Sequence, residues 1–307
     1  MNKLSNNVQG IIFLVLAMFI LSLQDIAIKW IGGAYPVLEI VLFRNLMALP
    51  CTLLLFRFEG GRGLPSTQRH VLEYLRGLLL FVSFTTYMMG LAALPLAEVG
   101  AIRNSAPLMI TLLSVLLLGE VVGPCRWVAL FIGFIGVLLI IRPGANTFNI
   151  GSVFILLTTL TYALNVIVTR QLRTTDSSAT MAFYSTLIYL LAAAMLAPLT
   201  ILIGEVPHAH PSLAFLLRAW ARPTLIDLGI MFGLGLVWAS GMYLIARAYT
   251  LAEASAAAPF EYVALLFSVL WGMTIWGEIP TWATYLGAFL TIASGLYLLY
   301  RERQERQ

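Results

Sequence analysis

Charge is scarce in this sequence. Asp, Glu, Lys and Arg supply only 10% of the 307 residues, beside three histidines and two cysteines. A folded surface facing water needs far more charge, so a soluble globular domain is excluded. Cys51 and Cys125 stand apart in apolar stretches, without a Cys-x-x-Cys pair or a neighbouring histidine. That removes a disulfide framework and a metal site. No Gly-x-x-x-x-Gly-Lys-Ser/Thr loop occurs, so ATP hydrolysis by this chain is not expected. Membrane enzyme chemistry lacks its usual marks too, since neither a Gly-x-Ser-x-Gly turn nor a His-Glu-x-x-His pair is found. His208 and His210 share a loop with Glu205 and read as solvated surface. The formal charge of +4 is spread over loops and ends rather than gathered in a basic patch, so nucleic acid is no expected partner. No cofactor is expected either.

The sequence has apolar length instead. Sixty per cent of it is apolar and the mean hydropathy is +0.92. A helix crossing a bilayer needs about 20 apolar residues. Windows of that kind lie near 9–29, 36–56, 72–94, 96–118, 126–142, 151–170, 179–203, 225–247, 252–276 and 282–300. The expected fold is therefore an all-α integral membrane bundle of ten transmembrane helices, with the lipid bilayer as solvent and no room for a separate soluble domain. The first window resembles a signal peptide, but it is too long and lacks a small-x-small cleavage site, so it is retained as a span.

Lys and Arg near span ends stay on the cytoplasmic side. With the N-terminus inside, that side collects Lys3, Arg57, Arg62, Arg69, Arg76, Arg126, Arg170, Arg173, Arg247, Arg301, Arg303 and Arg306. The other side collects only Lys29, Arg142, Arg218 and Arg222, so both termini are expected in the cytoplasm. The stretch 213–222 (LAFLLRAWAR) reads as a short amphipathic helix lying on the outer surface.

The chain also repeats itself. Gly10 set against Gly151 pairs Phe13 with Phe154, Gln24 with Asn165 and Lys29 with Arg170 without a gap. Leu96-Ala97-Glu98 matches Leu251-Ala252-Glu253; each is followed by a proline (Pro107, Pro259) and closes on Gly-Glu (Gly119-Glu120, Gly277-Glu278). Two five-helix repeats, 1–145 and 146–307, follow. An odd number of spans makes the second enter from the opposite side, an inverted repeat of the kind found in alternating-access carriers.

These landmarks, with Asp25-x-x-x-Lys29, Arg44 and the run APFEYVALLFSVLWGMTIWGEIP from Ala258, resemble the drug/metabolite transporter superfamily and its ten-span EamA-type branch, and within that the amino-acid exporters of the YddG type. The resemblance covers nearly the whole chain. It implies helices around a central cavity, placement in a bacterial inner membrane, a monomer, and export of a small-molecule substrate, amino acids first, by alternating access. Nucleobases, sugars, polyamines or drugs are the alternative solutes. A channel is the remote one, because no ring of like charge or repeated filter is visible.

An ionisable residue inside a span costs roughly 2.5 to 3.5 kcal/mol and so needs a partner, water or a function. Arg44 and Arg103 offer anchors for a substrate carboxylate, or a structural ion pair with Asp25. Asp25 and Lys29, at i and i+4, read as a local pair. Glu98 and Glu253 read as helix caps. Glu261, beside Tyr262 near the midplane, offers a site for an ammonium or a proton. Asn104, one turn before Pro107, has both a donor and an acceptor where a broken helix frees backbone groups. Tyr87, Tyr162, Trp238 and Tyr243 sit deep enough to stack on a solute or to pack the core. Trp276, Trp282 and Tyr300 read as interfacial aromatics. Gly229, Gly233, Gly235, Ala239 and Gly241 predict a close, sliding contact of the eighth span. Transport is expected to run down a gradient, by facilitated diffusion or exchange, with proton coupling second.

Overall fold

The computed structural model describes residues 6–118, 124–142, 148–172, 175–206, 208–251, 260 and 262–305. Every long element among them is a helix: α1 (Asn6–Ile31), α2 (Val37–Phe58), α3 (His70–Leu91), α4 (Leu96–Arg103), α5 (Ala106–Leu118), α6 (Pro124–Ile141), α7 (Gly151–Leu172), α8 (Ser178–Ile203), α9 (Pro211–Leu217), α10 (Leu225–Leu251), α11 (Val263–Trp276) and α12 (Trp282–Glu305). Seven stretches are long and apolar enough to cross a bilayer, and Trp127–Ile141 and Val263–Trp276 are shorter apolar helices. The expected ninth span is described only from Phe260, Tyr262 and α11 onward. Pro259, Glu253, Gly119 and Glu120 lie outside the described residues.

The distribution of polarity is the reverse of a soluble protein's. Leu202, Phe131 and Leu266 are 83%, 70% and 67% exposed, whereas Arg44 and Glu73 are fully buried. Hydrocarbon wets such an exterior, and within it each backbone group must bond inside its own helix.

α4 ends where Pro107 forces it to. A proline ring strikes the carbonyl four residues back, here Arg103, the last residue of α4. Pro107 then takes the second position of α5, where an N–H would have no helical partner. The freed Ile102 carbonyl accepts from the Ser105 N–H at 3.0 Å and from its hydroxyl at 2.7 Å. One expected span is therefore two helices, broken at Asn104 and Ser105.

α3 packs on α7, α1 on α10, α2 on α8 and α6 on α12; α2 also meets α10 and α3 meets α8. The end holding the α1–α2, α3–α4, α8–α10 and α11–α12 connections is called outer. There Tyr35 donates to Asp227 at 2.7 Å, which pushes the Tyr35 hydroxyl above its ordinary range, and Glu39 accepts from the Ala221 N–H at 3.3 Å.

Several expectations need correction. The amphipathic segment is a helix only over Pro211–Leu217, so both arginines follow it. It lies at the outer end with Leu213, Ala219, Ala221 and Arg222 exposed, docked by Phe215, which is buried against Gly32, where a side chain would strike its ring, and by Arg218, which donates to the Gly32 carbonyl. Arg76, counted with the inner side, lies in the second turn of α3 at that end but is buried, and bonds to Thr169 at 2.9 Å, the Met181 carbonyl at 2.7 Å and Ser185 at 2.5 Å. In α10 only part of the small-residue stripe makes a close approach: Gly235 lies against the α2 backbone and Gly241 against Leu21, while Gly229 and Gly233 face open space. A similarly tight crossing joins α6 to α12, where a Cβ on Gly136 would come within 2.7 Å of the Gly287 carbonyl.

The two kinds of glycine should respond oppositely to substitution. Gly136→Val is expected to destabilise by about 1–3 kcal/mol through overpacking. Gly233→Ala is expected to be neutral or to stabilise by up to about 1 kcal/mol through lower unfolded-state entropy. Thermal unfolding in detergent measures both, and equal losses would contradict the packing described.

Candidate functional site

Three charged side chains occupy one layer of the bundle. Asp25, Arg44 and Arg103 lie six or seven residues from the outer ends of α1, α2 and α4, a depth of about 9–11 Å at the helical rise. Their surroundings differ.

Arg44 is sealed. Its guanidinium carbon stands 3.7 Å from the centre of the Phe84 ring, 5.1 Å from Trp238 and 5.2 Å from Tyr189. No carboxylate pairs with it among the described residues, and its Nε and Nη1 have no hydrogen-bond partner. The Tyr189 hydroxyl, beside the guanidinium, donates to the Leu80 carbonyl at 2.6 Å. Aromatic faces stabilise a desolvated cation by about 2 kcal/mol, less than the several kcal/mol that its burial costs. The imbalance leaves the Arg44 charge without an anion among the described residues. Gly235 makes the box possible: it brings α10 against the Arg44 carbonyl, so Trp238, one turn on, covers the guanidinium.

Arg103 is exposed to the interior of the bundle and neighbours Asp25 electrostatically. Its guanidinium carbon lies 5.2 Å from the Tyr87 ring centre, and the Tyr87 hydroxyl donates to Asp25 at 2.5 Å. Asp25, Arg103 and Asn104 line a small cleft with Ser22 and Ser268, between α1, α4 and α11. The Asn104 Nδ2 is buried there without a partner. The Phe84 and Tyr87 rings, 6.2 Å apart on one face of α3, join the Arg44 box to this cleft. The site thus has a cationic pole walled by aromatics and a mixed-charge pole with free amide capacity.

Arg44, Tyr87, Arg103, Asn104 and Trp238 are therefore brought together. Tyr162 is 44% exposed, within electrostatic reach of Arg76 and Arg103. Tyr243 is 46% exposed and, five residues beyond Trp238, lies on another face of α10. Tyr262 points away from the cleft, its hydroxyl pressed against Gly295 of α12. Glu261 lies outside the described residues. Lys29 corrects another expectation: it pairs not with Asp25 but with Glu278, and its ammonium lies 4.9 Å from the centre of the Trp276 ring at the outer end of α11. Phe84, Tyr189, Ser22 and Ser268 were missed, since an aromatic or serine within an apolar run carries no signal of its own.

The model of the EamA-like transporter family matches residues 8–142 and again 149–301. A protein of Rickettsia bellii named S-adenosylmethionine uptake transporter is 28% identical over 96% of this chain and 94% of its own length. One of Pseudomonas aeruginosa named pseudopaline exporter CntI is 26% identical over 94% of this chain and 95% of its own. A solved crystal structure superposes with a TM-score of 0.63 at 18% identity, covering 95% of this chain and 97% of the other, which speaks to the fold alone.

If the Arg44 charge is held for a ligand and not for the fold, removing it should help the empty protein. Arg44→Met is expected to stabilise solute-free protein by about 1–4 kcal/mol, the usual gain when an apolar side chain replaces buried charge. A lower thermal midpoint would instead make Arg44 structural.

Proposed function

We propose, on the premise that this chain belongs to the EamA-like transporter family within the drug/metabolite transporter superfamily, that it is a secondary transporter of small metabolites bearing a carboxylate of the amino-acid type. The family match makes it a membrane transporter. The narrower reading is carried by one observation, the buried Arg44 guanidinium with two unused donor nitrogens and no carboxylate beside it among the described residues. A solute carboxylate supplies the missing anion. The Phe84, Tyr189 and Trp238 faces accept a flat or apolar group, and Asp25, with Asn104 nearby, accepts an ammonium or another cationic centre. S-adenosylmethionine, named for the Rickettsia relative, combines a carboxylate, an ammonium, a sulfonium and a purine, and it heads the candidates. Free amino acids follow.

The carrier mechanism is alternating access between two inverted five-helix halves. Helix packing supports that arrangement. Exchanging α1 with α7, α2 with α8, α3 with α10 and α6 with α12 maps the main contacts onto one another: α3–α7 becomes α10–α1, and α3–α8 becomes α10–α2. The Asn104–Ser105 break lies where such carriers bind solute, at a discontinuous helix. Ten spans, both termini in the cytoplasm and a bacterial inner membrane complete the reading. Direction follows the gradient, in keeping with relatives named for uptake and for export.

Counterflow in liposomes holding the full chain tests this. Labelled S-adenosylmethionine should accumulate against preloaded S-adenosylmethionine, and its decarboxylated analogue should compete at least about tenfold more weakly, as expected when a buried charge pair is lost. Arg44→Gln should erase that preference. Equal competition by the decarboxylated compound, by polyamines or by sugars would overturn the carboxylate reading.

A further inference from the structure

A second and larger cavity, of about 280 Å3, lies at the outer end above the central cleft. Gly33, Ala92 and Pro211, all exposed, form part of its rim. Lys29, Trp276 and Arg218 line it too, so it combines two cationic side chains with an aromatic face. Both cations are held by light ties. Lys29 pairs with Glu278, whose other oxygen accepts the Leu96 N–H at 2.9 Å, and Arg218 donates to the Gly32 carbonyl.

The two cavities stack along α1. Asp25 lines the cleft and Lys29 the outer cavity, one helical turn or about 6 Å apart. Glu278, held by Lys29 on α1 and by the first amide of α4, ties the loop after α11 to both of these helices. α1, α4 and α11 are the three elements that wall the cleft. The ion pair with its amide tie therefore draws the cleft's walls together at the level dividing the two spaces. Side-chain exposures of 16% and 20% place the pair at a boundary, where a competing anion can reach it.

We propose that the outer cavity is a binding site for the carboxylate of a solute, and that the Lys29–Glu278 pair is the partition between it and the central cleft, opened when the incoming carboxylate takes Lys29 from Glu278. Arg218 and Trp276 hold the solute while the exchange occurs. The incoming carboxylate adds one negative charge to the site, which the Arg218 guanidinium lining the same cavity offsets, while Glu278 keeps its tie to the Leu96 amide. The inference rests on the reading of carboxylate transport but is tested apart from it.

The test uses Ala264→Cys, a cleft-lining reporter, in the full chain with Cys51 and Cys125 replaced by serine, in sealed vesicles with a membrane-impermeant maleimide on the α9 face. Labelling should be slow. Glu278→Gln and Lys29→Gln should each speed it about tenfold, as breaking a partly desolvated pair allows, and Lys29→Glu combined with Glu278→Lys should restore protection. Acetate, at constant ionic strength, should accelerate labelling of the unlatched-competent chain severalfold; acetamide should not, and Arg218→Gln should remove the acetate response. Unchanged labelling in both single variants, or fast labelling that the charge swap does not reverse, would overturn the partition. Equal effects of acetate and acetamide would overturn the carboxylate site. Neither arm requires solute to cross the membrane, so a failure of counterflow and a failure of this inference are distinguishable.

Discussion

A guanidinium enclosed by hydrocarbon and aromatic rings is tolerable only while its charge is offset, and Arg44 sets that condition for the centre of this molecule. Each wall of its box comes from a different helix: Phe84 from α3, Tyr189 from α8 and Trp238 from α10. The rings stabilise the cation through their faces, and although the Tyr189 hydroxyl engages the guanidinium, Nε and Nη1 stay without a partner. A carboxylate partner would have satisfied the charge permanently. The fold invests in keeping the box closed instead. Tyr189 is fixed by its bond to the Leu80 carbonyl, and Gly235 gives up a side chain so that α10 reaches α2.

The second pole depends on a different constraint, a proline that a continuous helix cannot absorb. Because Pro107 ends α4 at Arg103, the guanidinium and the Asn104 amide lie at a helix terminus instead of midway along a smooth wall. Ser105 repairs the backbone by satisfying the Ile102 carbonyl twice, which leaves the Asn104 side chain without a structural task. An unemployed amide beside an exposed arginine is costly in a bilayer unless water or solute completes it. Two residues of one chemical type, Arg44 and Arg103, thus play different parts. Arg103 has Asp25 and Tyr87 nearby and lines the cleft, whereas Arg44, among the described residues, is walled by the Phe84, Tyr189 and Trp238 side chains.

Much of the fold was legible in the sequence because the bilayer supplies an external ruler: helices such as α2, α7 and α8 begin and end within a few residues of the apolar windows. The polar centre was legible in part for the same reason, since Arg44, Arg103 and Asn104 stand out against an apolar background. Their aromatic partners did not. Phe84 and Tyr189 look like any other ring in a span, and only the meeting of α2, α3 and α8 gives them a role. Pairings across the chain were equally hidden. Lys29 and Glu278 are 249 positions apart, and the i,i+4 spacing of Asp25 and Lys29 suggested a nearer partner that Tyr87 and Arg103 had already engaged. The amphipathic 213–222 segment misled because its arginines mimic a polar helix face, when Phe215 is the residue that docks it.

The vertical order of charges then explains how one bundle can be both selective and mobile. On the proposed reading, a solute carboxylate arriving at the outer end meets Lys29 and Arg218, cations that are already partnered and are less deeply buried than Arg44. Roughly one turn deeper it meets Arg44, whose burial makes the same kind of contact far stronger, since Coulomb attraction grows as the dielectric falls. Attraction therefore increases inward while the ties that resist opening weaken outward. A solute without a carboxylate gains nothing from this gradient, and one that is cationic throughout is repelled at its first step. Discrimination by charge is built into the sequence of positions along α1 and α2, before any fit to the rings around Arg44 is tried.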